Sequence, residues 1–274
     1  MSASHIMRFA YALTLTACGA SAGGEAELTV RTYGEEYIED IIPADVFDDG
    51  WAVHFDRFLI NLGDVQVAEA GTAATLTDPR FQVFDLTEAS DGEGQLVGMD
   101  RVVAGAYNAT QYKVYPADKD SVAGNASAEN LALMKDGGYS VYVAGKATKG
   151  DVTKTFAWGF KTRTHYEECE SQAVIEDGAP DTVQITVHGD HLFYDDLYSQ
   201  TPMLLFGLVA SADDMGDADG VITQAELEAV DLRPLSNYQV GSTDIVDLWH
   251  FIEHQTTTVG HIDGEGHCKN TRES

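Results

Sequence analysis

Histidines crowd the last third of the chain, at spacings that suit transition-metal binding. Imidazole nitrogen is a common ligand of zinc, copper and nickel, and two histidines four residues apart on a helix present both rings on one face. His250 and His254 have that spacing, and the loop after them offers a third ligand. The sequence therefore predicts a copper or zinc site drawn from His188, His191, His250, His254, His261 and His267. The alternative is a polar helix flank beside a mobile tail.

Residues 213–226, DDMGDADGVITQAE, offer oxygen ligands around a glycine. A hard cation such as calcium takes six to eight oxygens, so the chain must turn sharply to supply them. The segment resembles the calcium loop of an EF-hand with Gly220 at the sixth position, and Met215 then falls on the first ligand position. The resemblance implies a structural calcium ion held by Asp214, Asp217, Asp219, the Val221 carbonyl, Thr223 and Glu226. The alternative is an acidic turn whose glutamate only caps a helix.

A further pattern raises the question of enzymatic activity. Residues 250–254, HFIEH, match the His-x-x-Glu-His signature of inverzincin metalloproteases. That family needs another acidic ligand on a helix well downstream, and twenty residues follow His254. The sequence has no serine-nucleophile elbow, P-loop or dinucleotide-binding glycine fingerprint. It therefore favours a non-enzymatic protein with no catalytic residues, and leaves a zinc-dependent hydrolase as an alternative.

Two acidic loops adjoin predicted strands. Glu35, Glu36 and Glu39 follow one strand, whereas Asp190, Asp195 and Asp196 follow another, close to the His188-Gly-Asp-His191 stretch. If both loops lie at one end of the fold, they build a mixed carboxylate and histidine metal site. The alternative is a pair of solvated loops, because acidic loop residues are usually surface groups.

The elements that must position these residues are mostly strands. Two-residue alternation of apolar and polar side chains, broken by turn signals, predicts a mainly β fold. Residues 145–151, GKATKGD, suit a hairpin turn between two strands. The absence of long helical patterns between the strands favours an antiparallel β-sandwich of immunoglobulin-like type over residues 27–194. The predicted strands are residues 28–33, 51–62, 81–86, 108–115, 139–144, 153–160 and 182–187.

Residues 195–274 have a different pattern and form a predicted helical appendage packed on the sandwich. Thr223 and Glu226 have the spacing of a capping box that opens a short helix through Val230. Residues 242–254 carry one apolar stripe and predict a second helix. Residues 202–211 suit either a helix or a strand.

The chain begins with features of a secreted lipoprotein. Arg8, a short apolar run and small residues indicate a signal peptide over residues 1–17. Leu15-Thr-Ala-Cys18 resembles the lipobox of bacterial lipoproteins, which implies lipidation at Cys18, followed by a flexible tether over residues 18–26. Because Gly19 follows instead of aspartate, the resemblance implies an outer-membrane or cell-surface location. The alternative is an ordinary cleaved signal with an incidental cysteine.

The cysteine count and the net charge limit the classes of partner that the sequence predicts. The chain has three cysteines, and lipidation of one leaves Cys169 and Cys268 as a predicted disulfide pair in an oxidising compartment. The formal net charge is −29, which disfavours nucleic acid and leaves the lipid anchor as the only predicted membrane contact. Divalent metal ions are the favoured partners. A solvated acidic surface and an envelope protein docked on acidic loops are the alternatives.

Residues 95–114, with Gly105-Ala-Tyr107, look like the Gly-x-Tyr strand pair of the copper-binding β-sandwich lipoproteins of methanobactin operons, the MbnP family. Residues 83–86 and 138–145 are similar to that family in their order along the chain. The resemblance implies a β-sandwich and a copper-binding lipoprotein, although the family's copper ligands do not map residue by residue onto this sequence. The sequence therefore predicts a lipid-anchored, non-enzymatic protein that binds divalent metal.

Overall fold

A computed structural model describes residues 24–273. The predicted signal peptide, Cys18 and all but the last three residues of the predicted tether lie outside the described residues. Strand content is 42% and helix content 16%, so the prediction of a mainly β, sandwich-like fold is confirmed. No helix within residues 24–273 is long and apolar enough to span a bilayer.

All seven predicted strands are present. The first six strands are β1 (Ala26–Gly34), β2 (Ala52–Ala68), β3 (Leu76–Asp85), β4 (Gln95–Val102), β5 (Gly105–Tyr107) and β6 (Ala109–Val114). The next six are β7 (Val122–Ala123), β8 (Val141–Lys149), β9 (Val152–Phe160), β10 (Thr164–Cys169), β11 (Ala173–Ile175) and β12 (Asp181–Val187). The last three are β13 (Val221–Ile222), β14 (Gly260–Ile262) and β15 (Lys269–Arg272). Eight of the strands between residues 24 and 273 lie outside the seven that were predicted. Six of them have two to four residues, too few to show alternation, whereas β4 and β10 are longer and were missed.

Two sheets share one hydrophobic core. One sheet has the order β14-β12-β1-β4, and the other has the order β13-β9-β8-β2-β6-β10-β15, with β3 paired to β2 and β7 paired to β3. Buried side chains of both sheets, such as Val30 and Val183 on one and Val143 and Phe156 on the other, belong to one cluster. Most pairings are antiparallel, but β3 with β7, β9 with β13, and β1 with β12 run parallel. Because β1 and β12 are far apart in sequence, local patterns did not reveal their arrangement. The immunoglobulin-like type stays a prediction.

Five α-helices accompany the sheets in the described part of the chain. They are α1 (Glu36–Glu39), α2 (Ala128–Gly137), α3 (Gly207–Met215), α4 (Gln224–Glu228) and α5 (Leu248–Gln255). The sequence missed α2, which begins where the Ser127 side chain accepts a hydrogen bond from the Asn130 backbone N–H. It predicted α4 correctly, since the reciprocal capping bonds of Thr223 and Glu226 are both present.

The last predicted helix begins later than expected. Asp247 caps α5, so residues 242–247 are not helical. The backbone N–H of Leu232 donates to Val246 and that of Leu248 donates to Val230, which holds this stretch extended. Backbone pairing therefore overrides a helical pattern there.

The C-terminal segment contributes strands to both sheets. β14 pairs with β12, β15 pairs with β10, and β13 pairs with β9. The predicted disulfide is present between Cys169 at the end of β10 and Cys268, just before β15. It fixes the residues around β14 against the sandwich.

Candidate functional site

Four of the six predicted histidine ligands meet at one end of the sheet that contains β1 and β12. The parallel register brings Gly34 opposite Val187, so Glu35 and His188 leave the sheet side by side. The adjacent strand β14 places His261 opposite Thr186. His191 lies on a 3-10 turn, Asp190–Phe193, that follows β12. Strand pairing therefore brings together residues that are more than seventy positions apart.

The four rings form a compact group, here called the histidine cluster: His188, His191, His261 and His267. Ring centroids are 4.2 Å apart for His188 and His261, 5.2 Å for His188 and His191, and 5.2 Å for His191 and His261. The His267 ring lies 5.2 Å from that of His261. His188 and His261 are buried, His191 is half-buried and His267 is exposed. The cluster thus extends from the protein interior to its surface.

Hydrogen bonds show which ring nitrogens are engaged. Glu35 Oε2 lies 3.1 Å from His188 Nδ1, which leaves Nε2 with only the Gly264 carbonyl at 3.5 Å. A carboxylate on the far nitrogen is a common way of orienting a metal-ligating histidine. His191 Nδ1 bonds to the Thr258 hydroxyl at 3.1 Å. The buried Nδ1 of His261 has no hydrogen-bond partner within residues 24–273. A buried nitrogen without a hydrogen-bond partner or ligand lowers the stability of the fold by about 1–3 kcal/mol.

Two overlapping sets of side chains have a spacing that suits a metal ion. The ligand atoms of His188, His261 and Glu265 lie within 4.8 Å of one another, as do those of His188, Asp190 and His191. Two ligands at ~2.1 Å from one ion are separated by no more than ~4.2 Å. Small side-chain rotations would therefore close either set around a single ion.

Burial keeps two of the rings neutral. It lowers the pKa of His191 to about 3, and the charge on His188 adds to that effect. Burial, again with the charge on His188, lowers the pKa of His261 to about 3. Burial also acts to lower the pKa of His188, but the hydrogen bond and charge of Glu35 outweigh it and raise that pKa overall. Neutral imidazole is the form that ligates metal, so His191 and His261 need lose no proton to bind.

A cleft of about 460 Å³ opens onto the cluster. His191, His261 and His267 line it, together with Glu265. The tight turn that carries Glu265 has Gly264 at φ +84°, a left-handed conformation that glycine adopts without strain. An ion held by His261 and Glu265 is therefore within reach of solvent through the cleft.

The structure does not bring His250 and His254 into this cluster. Although both lie on α5, neither belongs to a set of metal-capable side chains within the described residues. The exposed His250 ring bonds through Nδ1 to the Asp247 carboxylate at 2.9 Å. Glu253, the acidic residue of the protease-like pattern, accepts a hydrogen bond from Arg272 at 2.9 Å. The i, i+4 spacing therefore does not place these two rings in the group where the other four histidines lie.

The two acidic loops meet the cluster only in part. Glu35 contacts His188, and Asp190 belongs to the second set, with one oxygen accepting the Tyr194 hydroxyl at 2.9 Å. Burial raises the pKa of Asp190. Asp196 lines the cleft but accepts hydrogen bonds from its own turn. Glu265, which no pattern singled out, joins His188 and His261 because of the turn after β14.

The acidic segment 213–226 is a helix–loop–helix in which Asp213 takes the place expected for Asp214. Ligand atoms of Asp213, Asp217 and Asp219 lie within 4.8 Å of one another. Asp213 Oδ1 accepts a hydrogen bond from the Gly220 N–H at 3.1 Å, so the loop closes around this residue. Asp214 is exposed and its Oδ1 lies 2.6 Å from Lys154 Nζ. The loop therefore has two extra residues instead of one.

A lysine enters this loop from the neighbouring sheet. Lys154 on β9 is 8% exposed and its ammonium bonds to the fully buried carboxylate of Asp213 as well as to Asp214. These hydrogen bonds raise the pKa of Lys154 and lower that of Asp213. Sequence patterns gave no sign of this cation, because β9 lies some sixty residues away.

Two of the remaining predicted calcium ligands, Thr223 and Glu226, hydrogen-bond to each other at the start of α4. Glu226 Oε2 accepts hydrogen bonds from the backbone N–H and the hydroxyl of Thr223, each at 2.8 Å. Val221 begins β13, and Gly220 next to it accepts from the Thr155 N–H at 2.8 Å. Met215 ends α3 with its side chain exposed. The arrangement has features of both a calcium loop and a capped acidic turn.

Comparisons of the chain with protein-family models, with curated proteins and with solved structures find no match. The chemistry of both sites is therefore inferred from their own residues.

Proposed function

We propose that the protein binds a divalent transition metal in the histidine cluster, with His188, His261 and Glu265 as its ligands. The observation that carries this proposal is the unpaired, buried Nδ1 of His261, in a ring 4.2 Å from the His188 ring. Buried polar atoms almost always have partners, and an exception in a native structure calls for an explanation such as a ligand. A metal ion supplies one.

Zinc and copper are the metals that suit this donor set. Imidazole nitrogen with one carboxylate oxygen is a frequent zinc set, and imidazole also binds copper strongly. Calcium and magnesium prefer oxygen alone, which disfavours them here. Glu35 orients His188 by its hydrogen bond.

The setting that we propose is the bacterial cell envelope, with the protein held by a lipid on Cys18. The lipobox-like tetrad and the short apolar run before it support this placement. A net charge of −29 attracts cations from the surrounding solution. A lipid-anchored, non-catalytic metal binder is the function that these features favour.

Metal titration of the purified protein tests the proposal. After treatment with EDTA, we expect one equivalent of zinc or copper to bind, as measured by calorimetry and elemental analysis. His261→Ala should abolish that binding, and Glu35→Gln should weaken it by about 10–100-fold because it only orients His188. His250→Ala is the matched control and should bind normally. Equal affinities for His250→Ala and His261→Ala would overturn the assignment.

Calcium at residues 213–226 is the second proposed site. It is favoured by three carboxylates within 4.8 Å of one another between two helices. Lys154 already supplies one positive charge to Asp213, so a calcium ion would compete with an ammonium group. A structural role with weak, millimolar-range affinity fits such a site, as in other extracellular modules.

A further inference from the structure

We infer that the cleft beside the histidine cluster binds a flat, uncharged aromatic nitrogen heterocycle, which coordinates the metal through its ring nitrogen. This inference rests on the proposed metal site. His261 and Glu265, two of the three proposed ligands, line the cleft, so the ion has a side that faces it. Three protein ligands leave at least one position of a divalent transition metal open.

The charge of the cleft selects against anions. Asp196 and Glu265 line it, whereas none of its described lining residues is a lysine or an arginine. The basic side chains nearest in sequence are engaged elsewhere, because Lys269 bonds to Glu167 and Arg272 bonds to Glu253. The two positive charges of a bound divalent ion are already matched by Glu265 and Asp196, so an anionic ligand would give the site excess negative charge and meet repulsion. An uncharged ligand avoids this repulsion.

Aromatic side chains give the cleft its preference for a flat ring. The Tyr194 ring lies 4.6 Å from that of His191, and its hydroxyl is held by Asp190. Tyr166 is buried and stacks on Tyr112 with centroids 4.7 Å apart, so it forms a fixed surface. Tilted or offset contacts between rings are favourable beyond the area that they bury.

Tyr198 leaves room for a ligand at the mouth of the cleft. It lines the cleft but is 57% exposed, and the nearest aromatic ring to it, that of His254, is 6.4 Å away between centroids. A ring that entered the cleft would therefore cover an aromatic face that now meets water. The volume of about 460 Å³ lies in the usual range for small-molecule sites and admits a two-ring compound.

The test uses the full protein loaded with cobalt(II), whose visible absorption reports ligand exchange. Imidazole, 4-phenylimidazole and 4-(imidazol-4-yl)benzoate are titrated against it, with free cobalt(II) as a reference for intrinsic affinity. We expect 4-phenylimidazole to bind about ten-fold more tightly than imidazole, the gain from one covered aromatic contact. The benzoate has the same donor nitrogen but carries a negative charge, so it should bind no more tightly than imidazole.

Variants of the cleft separate a specific site from an open metal position. Tyr198→Ala should remove most of the preference for 4-phenylimidazole, and Tyr198→Phe should keep it. Tyr142→Ala, on β8 and not part of the cleft lining, is the matched control and should keep the preference. Equal affinities for imidazole and 4-phenylimidazole in a cobalt-loaded protein would overturn the inference. Failure to bind cobalt, zinc or copper at all would instead refute the proposed metal site.

Discussion

Replacing Lys154 with methionine should destabilise the protein and reveal what residues 213–226 bind. The variant keeps the length of the side chain but leaves the carboxylate of Asp213 buried with backbone N–H groups, such as that of Gly220, as its partners. Exposed ion pairs contribute ~0–1 kcal/mol, whereas breaking a buried pair costs ~3–5 kcal/mol. Asp213 is fully covered, but Asp214 beside it is 64% exposed, so the pair lies just beneath the surface.

We therefore expect Lys154→Met to lower the free energy of unfolding by an intermediate amount, about 2–3 kcal/mol. For a domain of this size it corresponds to a fall of roughly 4–12 °C in melting temperature, measured by calorimetry in EDTA at pH 7. Lys146→Met is the matched control, because Lys146 is exposed on the neighbouring strand β8. A Lys154→Met variant that melts with the unmodified protein would refute the proposed role of this ion pair.

The stability that Lys154→Met loses should depend on pH in a defined direction. Lys154 lowers the pKa of Asp213, so the pair stabilises the fold above the ordinary aspartate pKa of ~3.9 and stops doing so as pH falls through the lowered value. The difference between the two proteins should therefore shrink in acid.

Melting temperatures measured with and without calcium distinguish a calcium loop from a capped acidic turn. If Asp213, Asp217 and Asp219 hold calcium, millimolar calcium should restore the melting temperature of Lys154→Met and raise that of the unmodified protein less. The reason is that the ion replaces the missing ammonium charge. If calcium shifts neither melting temperature, the segment is a capped acidic turn and Lys154 is its only cation among the described residues.

Three further outcomes test other parts of the molecule. Cys169→Ser combined with Cys268→Ser should lower the free energy of unfolding by about 4–5 kcal/mol, because the bridge closes a loop across 99 positions; unchanged urea midpoints would contradict this. Cys18→Ala should abolish incorporation of radiolabelled palmitate and release the protein from membranes, and continued labelling would exclude this cysteine as the anchor. Because burial lowers the pKa values of His191 and His261 to about 3, the metal-free protein should lose stability as pH falls from ~6.5 towards 3, whereas a flat profile in urea melts would contradict their burial as neutral rings.

The strands were predictable because each one carries its own alternating pattern. β1, β9 and β12 lie close to their predicted positions, since one face of each packs in the core and the other does not. The parallel pairing of β1 with β12 was not predictable, because no local pattern specifies a partner about 150 residues away. That pairing is what brings Glu35 to His188.

Strand register, and not spacing along the chain, determines which histidines lie together. The i, i+4 rule correctly placed His250 and His254 on one helix, but Asp247 engages the first of these rings. His188 and His261 come together through the pairing of β12 with β14, which leaves no regular interval in the sequence. Glu265 follows from the turn after β14, where Gly264 permits a tight reversal. Non-local contacts therefore decide this site.

The loop 213–226 departs from its predicted geometry for a different reason. Counting back from Gly220 placed Met215 at the first ligand position and favoured Asp214 as its nearest substitute. The chain instead ends α3 at Met215, and the helical turn directs Asp213 inward, where Gly220 and Lys154 bond to it. Periodicity of the preceding helix would have favoured Asp213, but residues 202–211 gave no clear helical signal.

The loop 213–226 and the histidine cluster differ in how their charges are balanced, and this difference separates their proposed roles. In the loop, Lys154 neutralises the buried carboxylate of Asp213, so this buried charge is balanced without an added ion. In the histidine cluster, burial keeps His261 neutral, yet its Nδ1 has no partner within residues 24–273. A site that already holds a cation gains little from binding another, whereas an unpaired nitrogen gains a full bond. Metal should therefore bind the cluster far more tightly than calcium binds the loop, and a chelator should remove calcium from the loop before it removes metal from the cluster.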